Sequence, residues 1–231
     1  MLSTKTKPNI PILYEDNHLL VIDKPAGILS QEDATGKPDV LSIGKEYLKK
    51  KYNKPGNVYL GLVHRLDQPV SGVMVLARTS KAASRLSEQI RIKALQKTYW
   101  AIVEGVSPQE GSLVHYLEKD TRTNTVKAYD SKRGKAKLAE LRFSTYKQSR
   151  NYSLVIIELK TGRPHQIRVQ FAKIGHPIWG DYKYGEKDSG PGKALALRST
   201  RLGLIHPTTK KELIFEAQPP LNQQPWNLFD F

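Results

Sequence analysis

Nine consecutive residues, His64-Arg65-Leu66-Asp67-Gln68-Pro69-Val70-Ser71-Gly72, gather an imidazole, a guanidinium and a carboxylate in one short loop between two apolar runs. Pro69 and Gly72 bend the chain there, so the loop presents the Asp67 carboxylate at a sheet edge instead of burying it. A carboxylate in that position can attack an electrophile or take a proton. The same residue type in a turn also bonds its own backbone or pairs with a neighbour such as Arg65. The loop alone does not choose between these roles.

Residue types elsewhere narrow the chemistry. The chain has no Cys, which removes disulfides, thiolate metal sites, iron–sulfur clusters and thiol nucleophiles together. His18, His64, His115, His165, His176 and His206 form no close pair at the usual ligand spacing, which disfavours a metal-dependent nuclease. There is no phosphate-binding glycine loop and no dinucleotide fingerprint. None of these residue patterns points to a metal or a cofactor.

The partner is read from charge. Lys and Arg number 37 against 22 Asp and Glu, a formal net charge of +15, which makes a polyanion such as RNA or DNA the default partner, with a basic but otherwise ordinary soluble protein as the alternative. Lys5 and Lys7 are followed by Pro8 and Pro11 where a secretion signal needs an apolar run, and no stretch is apolar for long enough to span a membrane. A cytoplasmic, monomeric protein is expected.

The elements that position the loop follow from pattern. After a short polar tail, Ile10 to Tyr14 and Leu19 to Lys24 read as strands, the second ended by Pro25-Ala26-Gly27. Asp39 caps a helix through about Lys51 with Val40, Ile43 and Tyr47 at helical spacing, and Thr79 caps a second with Ala83, Leu86 and Ile90 on one face. Strands at Val58 to Val63 and Val73 to Ala77 flank the Asp67 loop. Lys97 to Glu104, Val126 to Tyr129, Lys137 to Tyr146 and Tyr152 to Lys160 add strands that favour antiparallel pairing. Pro164 starts a third helix with Ile167, Phe171 and Ile174 as its buried stripe and Gly175 as its end, and two last strands flank His206-Pro207-Thr208-Thr209. Short strands with about three helices predict an α+β fold, a mostly antiparallel mixed sheet flanked by helices. Residues 1–231 are read as a single catalytic domain with its core at about 10–220.

Four segments together resemble a known family. His64-Arg65-Leu66-Asp67 with Val70-Ser71-Gly72, then Lys97 through Gly105, then Thr161-Gly162-Arg163-Pro164-His165-Gln166-Ile167-Arg168, then Gly175-His176-Pro177-Ile178-Trp179-Gly180-Asp181 with Tyr184-Gly185, are similar in kind and order to the motifs of the RluA-like pseudouridine synthases. The likeness runs from about Ile10 to about Pro220. It implies the pseudouridine synthase catalytic fold and isomerisation of uridine in structured ribosomal or transfer RNA. By position it implies that Asp67 is the catalytic carboxylate, that Tyr99 stacks on the target uracil, and that Arg168 pairs with Asp67. It further implies that Arg65 enters the RNA stack where the uridine swings out. His165 is assigned to substrate or Asp67, or else to a structural cap on the Arg163-Pro164 turn. The family usually has Thr where this chain has Val70, and Trp179 is bulky for its place; both bear on substrate preference. Many relatives carry a small RNA-binding domain ahead of the catalytic part, whereas here the first strand begins near Ile10, so no such domain is expected. A catalytically silent RNA-binding or ribosome-assembly protein of the same fold is the alternative.

Overall fold

The computed structural model describes residues 9–185 and 194–229; the polar N-terminal tail lies outside them. The chain divides into two compact units, Met1–Leu95 with Gly203–Phe215, and Gln96–Leu202 with Glu216–Phe231.

In the first unit, β1 (Ile12–Glu15) pairs antiparallel with β2 (Leu19–Lys24), and β2 with β4 (Ser71–Ala77). Leu19 to Ile22 and Val73 to Ala77 are buried without alternation, as strands covered on both faces must be. Helix α1 (Val40–Lys51) begins where the Asp39 carboxylate accepts from the Ser42 amide, and α2 (Ser80–Arg91) where the Thr79 hydroxyl accepts from the Ala82 amide, as the sequence predicts. The buried stripe of α1 is Val40, Gly44 and Leu48, with Ile43 and Tyr47 at its flank. Gly44 sets that rotation: a Cβ there would stand 2.7 Å from the Leu60 side chain. The strand expected over Val58 to Val63 shrinks to β3 (Gly61–Leu62). Gly61 pairs with Ala77, so residues 58–60 lie opposite Arg78–Ser80, where the chain is already turning into α2. On the other side of β3, the Val75 amide is taken by the His64 ring.

In the second unit, β5 (Gln96–Glu104), β9 (Tyr152–Leu159), β8 (Lys137–Gln148), β6 (Glu110–Asp120) and β7 (Thr125–Tyr129) lie side by side in that order, each pair antiparallel. Strand β6 is absent from the sequence reading. Its inward row is Leu113, His115 and Leu117, and the polar central member hides the period of two. Helix α3 (Gln166–Lys173) packs on this sheet through Val169 and Phe171, the latter edge-to-face with Phe143 at 5.2 Å. The chain passes between the units within β10 (Leu197–Ile205) and β11 (Glu212–Glu216), a pair joined by the expected turn at His206. A sheet with three α-helices among the described residues is the α+β class expected.

Candidate active site

The Asp67 loop is held from behind by the end of β2 and the segment after it. Lys24 closes β2 opposite Gly72, whose φ of +117° suits glycine and lets β4 begin at a bend. The Lys24 side chain is fully buried, and its ammonium donates to the carbonyls of Pro25 (3.1 Å), Gln68 (3.2 Å) and Val70 (2.8 Å). The Ser30 hydroxyl donates to the Leu66 carbonyl at 2.7 Å and accepts from the Leu66 amide at 3.2 Å. Gly27 and Gln68 exchange two further hydrogen bonds. Leu66, Gln68 and Val70 are thus anchored through their backbones, and half-buried Asp67 sits among them, its own carbonyl accepting from the Val70 amide. Burial pushes the Lys24 ammonium down to about 7, while the negative charge of Asp67 works in the opposite direction. Arg65, two residues before Asp67, is exposed, and His64 is committed to the Val75 amide.

The other expected residues lie in the second unit. Tyr99 stands on β5 with 6% of its surface exposed, in one alternating row with fully buried Ala101 and Val103. The segment His176 to Asp181 runs beside β5: Trp179 donates to the Ile102 carbonyl, and Ile178 bridges to Val103. That contact places Asp181 under α3. Arg168, buried on α3, meets Asp181 in a two-pronged ion pair, Nε to Oδ2 and Nη2 to Oδ1, both at 2.7 Å. Oδ1 also accepts from the amides of Lys183 and Tyr184. The Tyr184 ring covers the guanidinium at 5.2 Å, and its hydroxyl accepts from the Val126 amide and lies 2.5 Å from His165 Nδ1. Tyr184 therefore brings His165 and Arg168 together.

His165 is not a side-chain cap. It occupies the N-cap position with a left-handed φ of 50° and makes no capping bond, and the helix starts one residue beyond it at Gln166 instead of at Pro164. Gln166 does the capping work: its Oε1 accepts from the Thr161 hydroxyl and the Arg163 amide, and its Nε2 donates to the Glu140 carbonyl. Gln170 fastens the next turn by donating to Leu113 and Ala139. Sequence reasoning missed Lys24, Asp181, Tyr184 and Gln166. Asp181 and Tyr184 stand inside a quoted motif, but spacing alone gives them no partner.

Comparison with known proteins finds relatives over most of the chain. A family model described as RNA pseudouridylate synthase matches residues 18–173. The chain is 38% identical over 225 residues to a ribosomal large subunit pseudouridine synthase C of Buchnera aphidicola, covering 92% of this chain and 69% of that protein. It is 32% identical to a tRNA pseudouridine synthase C of Haemophilus ducreyi, covering 96% and 98% of the two. Among solved structures, human RNA pseudouridylate synthase domain containing 4 superposes with a TM-score of 0.75 at 25% identity, over 91% of this chain and 88% of that one.

Proposed function

As a member of the RNA pseudouridylate synthase family, the chain is an RNA-modifying isomerase, and we propose that Asp67 is the carboxylate on which its uridine-to-pseudouridine reaction turns. The observation that carries this reading is the anchoring of the loop: hydrogen bonds fix the backbones of Leu66, Gln68 and Val70, so the backbone that carries the Asp67 carboxylate is held in place before any substrate arrives.

The reaction breaks the bond between uracil N1 and ribose C1′, turns the base, and joins C5 to C1′. The proton on C5 leaves to solvent and N1 gains one, so no oxidant, reductant or group donor is consumed. Attack on the sugar, attack on the pyrimidine and proton removal from the ribose all use the ionised form of the Asp67 carboxylate. Tyr99 supplies the face on which the uracil stacks, and exposed Arg65 fills the gap left in the RNA when the uridine swings out, a step that costs a few kcal/mol. Asp181 grips Nε and Nη2 of Arg168, which holds the guanidinium in one orientation for its proposed part in the reaction. His165, oriented by the Tyr184 hydroxyl, contacts the substrate. We read the chain as a single catalytic domain, monomeric and active in the cytoplasm. Among the described residues no helix is long and apolar enough to cross a membrane.

The substrate is structured ribosomal or transfer RNA, recognised by shape and loop contacts. Two similar proteins are named for these two kinds of RNA, one as a ribosomal large subunit synthase and one as a tRNA synthase. The test supplies purified protein with RNA labelled with hydrogen isotope at uracil C5, with no added cofactor and with a chelator present. Release of label with matching pseudouridine formation is expected. RNA binding without release would instead favour the silent RNA-binding protein.

A further inference from the structure

We propose that Lys97 binds a backbone phosphate of the RNA, next to the nucleotide that Tyr99 receives. The inference rests on the proposed function and adds a residue to its substrate contacts. Lys97 and Tyr99 are two apart on β5, so their side chains leave the same face of the strand, about 7 Å apart along it.

Among the described residues, other lysines withdrawn from water are satisfied. Lys24 donates to three carbonyls, and half-buried Lys183 donates to the Asn124 carbonyl. Half-buried Lys97 has no hydrogen bond or ion pair with any described residue, and burial alone pushes its ammonium below the usual lysine range. A withdrawn cation without a counter-charge is a cost to the free protein. A partner that arrives with the substrate would remove that cost.

The head group is also reachable. Exposed Gly162 lies beside it, and a Cβ on that residue would stand 3.6 Å from Lys97 Nζ. Gly162 belongs to the Thr161–His165 turn that leads into α3, so the ammonium sits at the side of the turn carrying His165, next to a residue with no side chain to cover it. The missing partner must be an anion rich in acceptors that stands one nucleotide's width from a stacked base. A phosphodiester meets both requirements.

Lys97→Met and Lys97→Arg are compared with wild type in three measurements: RNA binding across a salt series, steady-state isomerisation, and thermal unfolding without RNA. Lys97→Met is expected to bind about tenfold more weakly at low salt. Its plot of log affinity against log salt should be shallower by about 0.7–0.9, the loss of one phosphate contact. KM rises while kcat stays, and the melting temperature does not fall, because the group removed has no partner among the described residues. Lys97→Arg keeps the wild-type slope. A wild-type slope in Lys97→Met overturns the proposal, as does a fall in kcat at unchanged KM, which would make the group part of the chemistry. Failure of Lys97→Met to fold also contradicts it, since the lysine would then be structural. If wild type itself neither binds nor modifies RNA, the proposed function fails; if it does both and Lys97→Met matches it, only the phosphate contact fails.

Discussion

Replacing Asp181 by Asn separates what the Arg168 pair does for stability from what it does for the reaction. The pair is buried, with 4% of the Arg168 side chain and none of Asp181 exposed, so loss of one charge strips the guanidinium of its two-pronged partner in a poorly hydrated place. Breaking such a pair costs about 3–5 kcal/mol. The low end applies here, because the amide oxygen of the new side chain would still accept from the Lys183 and Tyr184 amides and the Tyr184 ring still covers Arg168. At roughly 2–4 °C per kcal/mol for a chain of this size, a loss of about 3 kcal/mol lowers the melting temperature by roughly 6–12 °C. The double variant Asp181→Asn with Arg168→Met has no buried charge left at that point. It should recover most of the lost stability, since an apolar replacement for a whole buried pair is often neutral. Activity should not return, because the guanidinium is gone. Circular dichroism melts and the C5-hydrogen release assay read the two effects separately. Asp181→Asn melting within a degree or two of wild type, or a double variant no more stable than the single, would refute the reasoning.

Lys24 makes stability depend on alkaline pH. Its pKa falls from 10.5 to about 7 on folding, so between those values the unfolded chain binds more protons and stability rises with pH. Below about 7 both states are protonated and the contribution to the slope vanishes. Denaturant titrations across that range should give wild type a rise that Lys24→Met lacks, and parallel curves would contradict the burial argument. Gly185→Ala places a Cβ 2.7 Å from the Asp181 carbonyl, which is itself tied to the Gly185 amide. The backbone cannot yield cheaply, so a loss of about 1–3 kcal/mol is expected in thermal unfolding, and an unchanged melt would show that the Asp181 turn can relax. Asp39→Ala removes the acceptor for the Ser42 amide and should cost about 1 kcal/mol in urea unfolding, with activity retained.

Much of this architecture was legible because local signals and global fold agree. Asp39 and Thr79 announced two helices that begin where expected, and the apolar runs of β2 and β4 gave the centre of the first unit. Failures have local causes. Val58 to Val63 has strand composition, but pairing depends on a partner, and opposite residues 58–60 the chain is entering a helix. Strand β6 hid behind His115, a polar residue in an inward row. The site divides in the same way. Asp67, Arg65, Tyr99, His165 and Arg168 could be named because their segments resemble family motifs. The groups that fix them in place could not, because Lys24 reaches the Asp67 loop from 43 residues away in sequence and Asp181 meets Arg168 only through the folding of the segment beside β5. Such contacts belong to tertiary structure and leave no periodic trace in the chain.

The most direct test of the account is Asp67→Asn, an exchange that keeps shape and removes the charge. With RNA labelled at uracil C5, the variant should bind with near wild-type affinity, melt near the wild-type temperature and release no label. Turnover at the wild-type rate would show that the chemistry does not depend on the carboxylate at position 67.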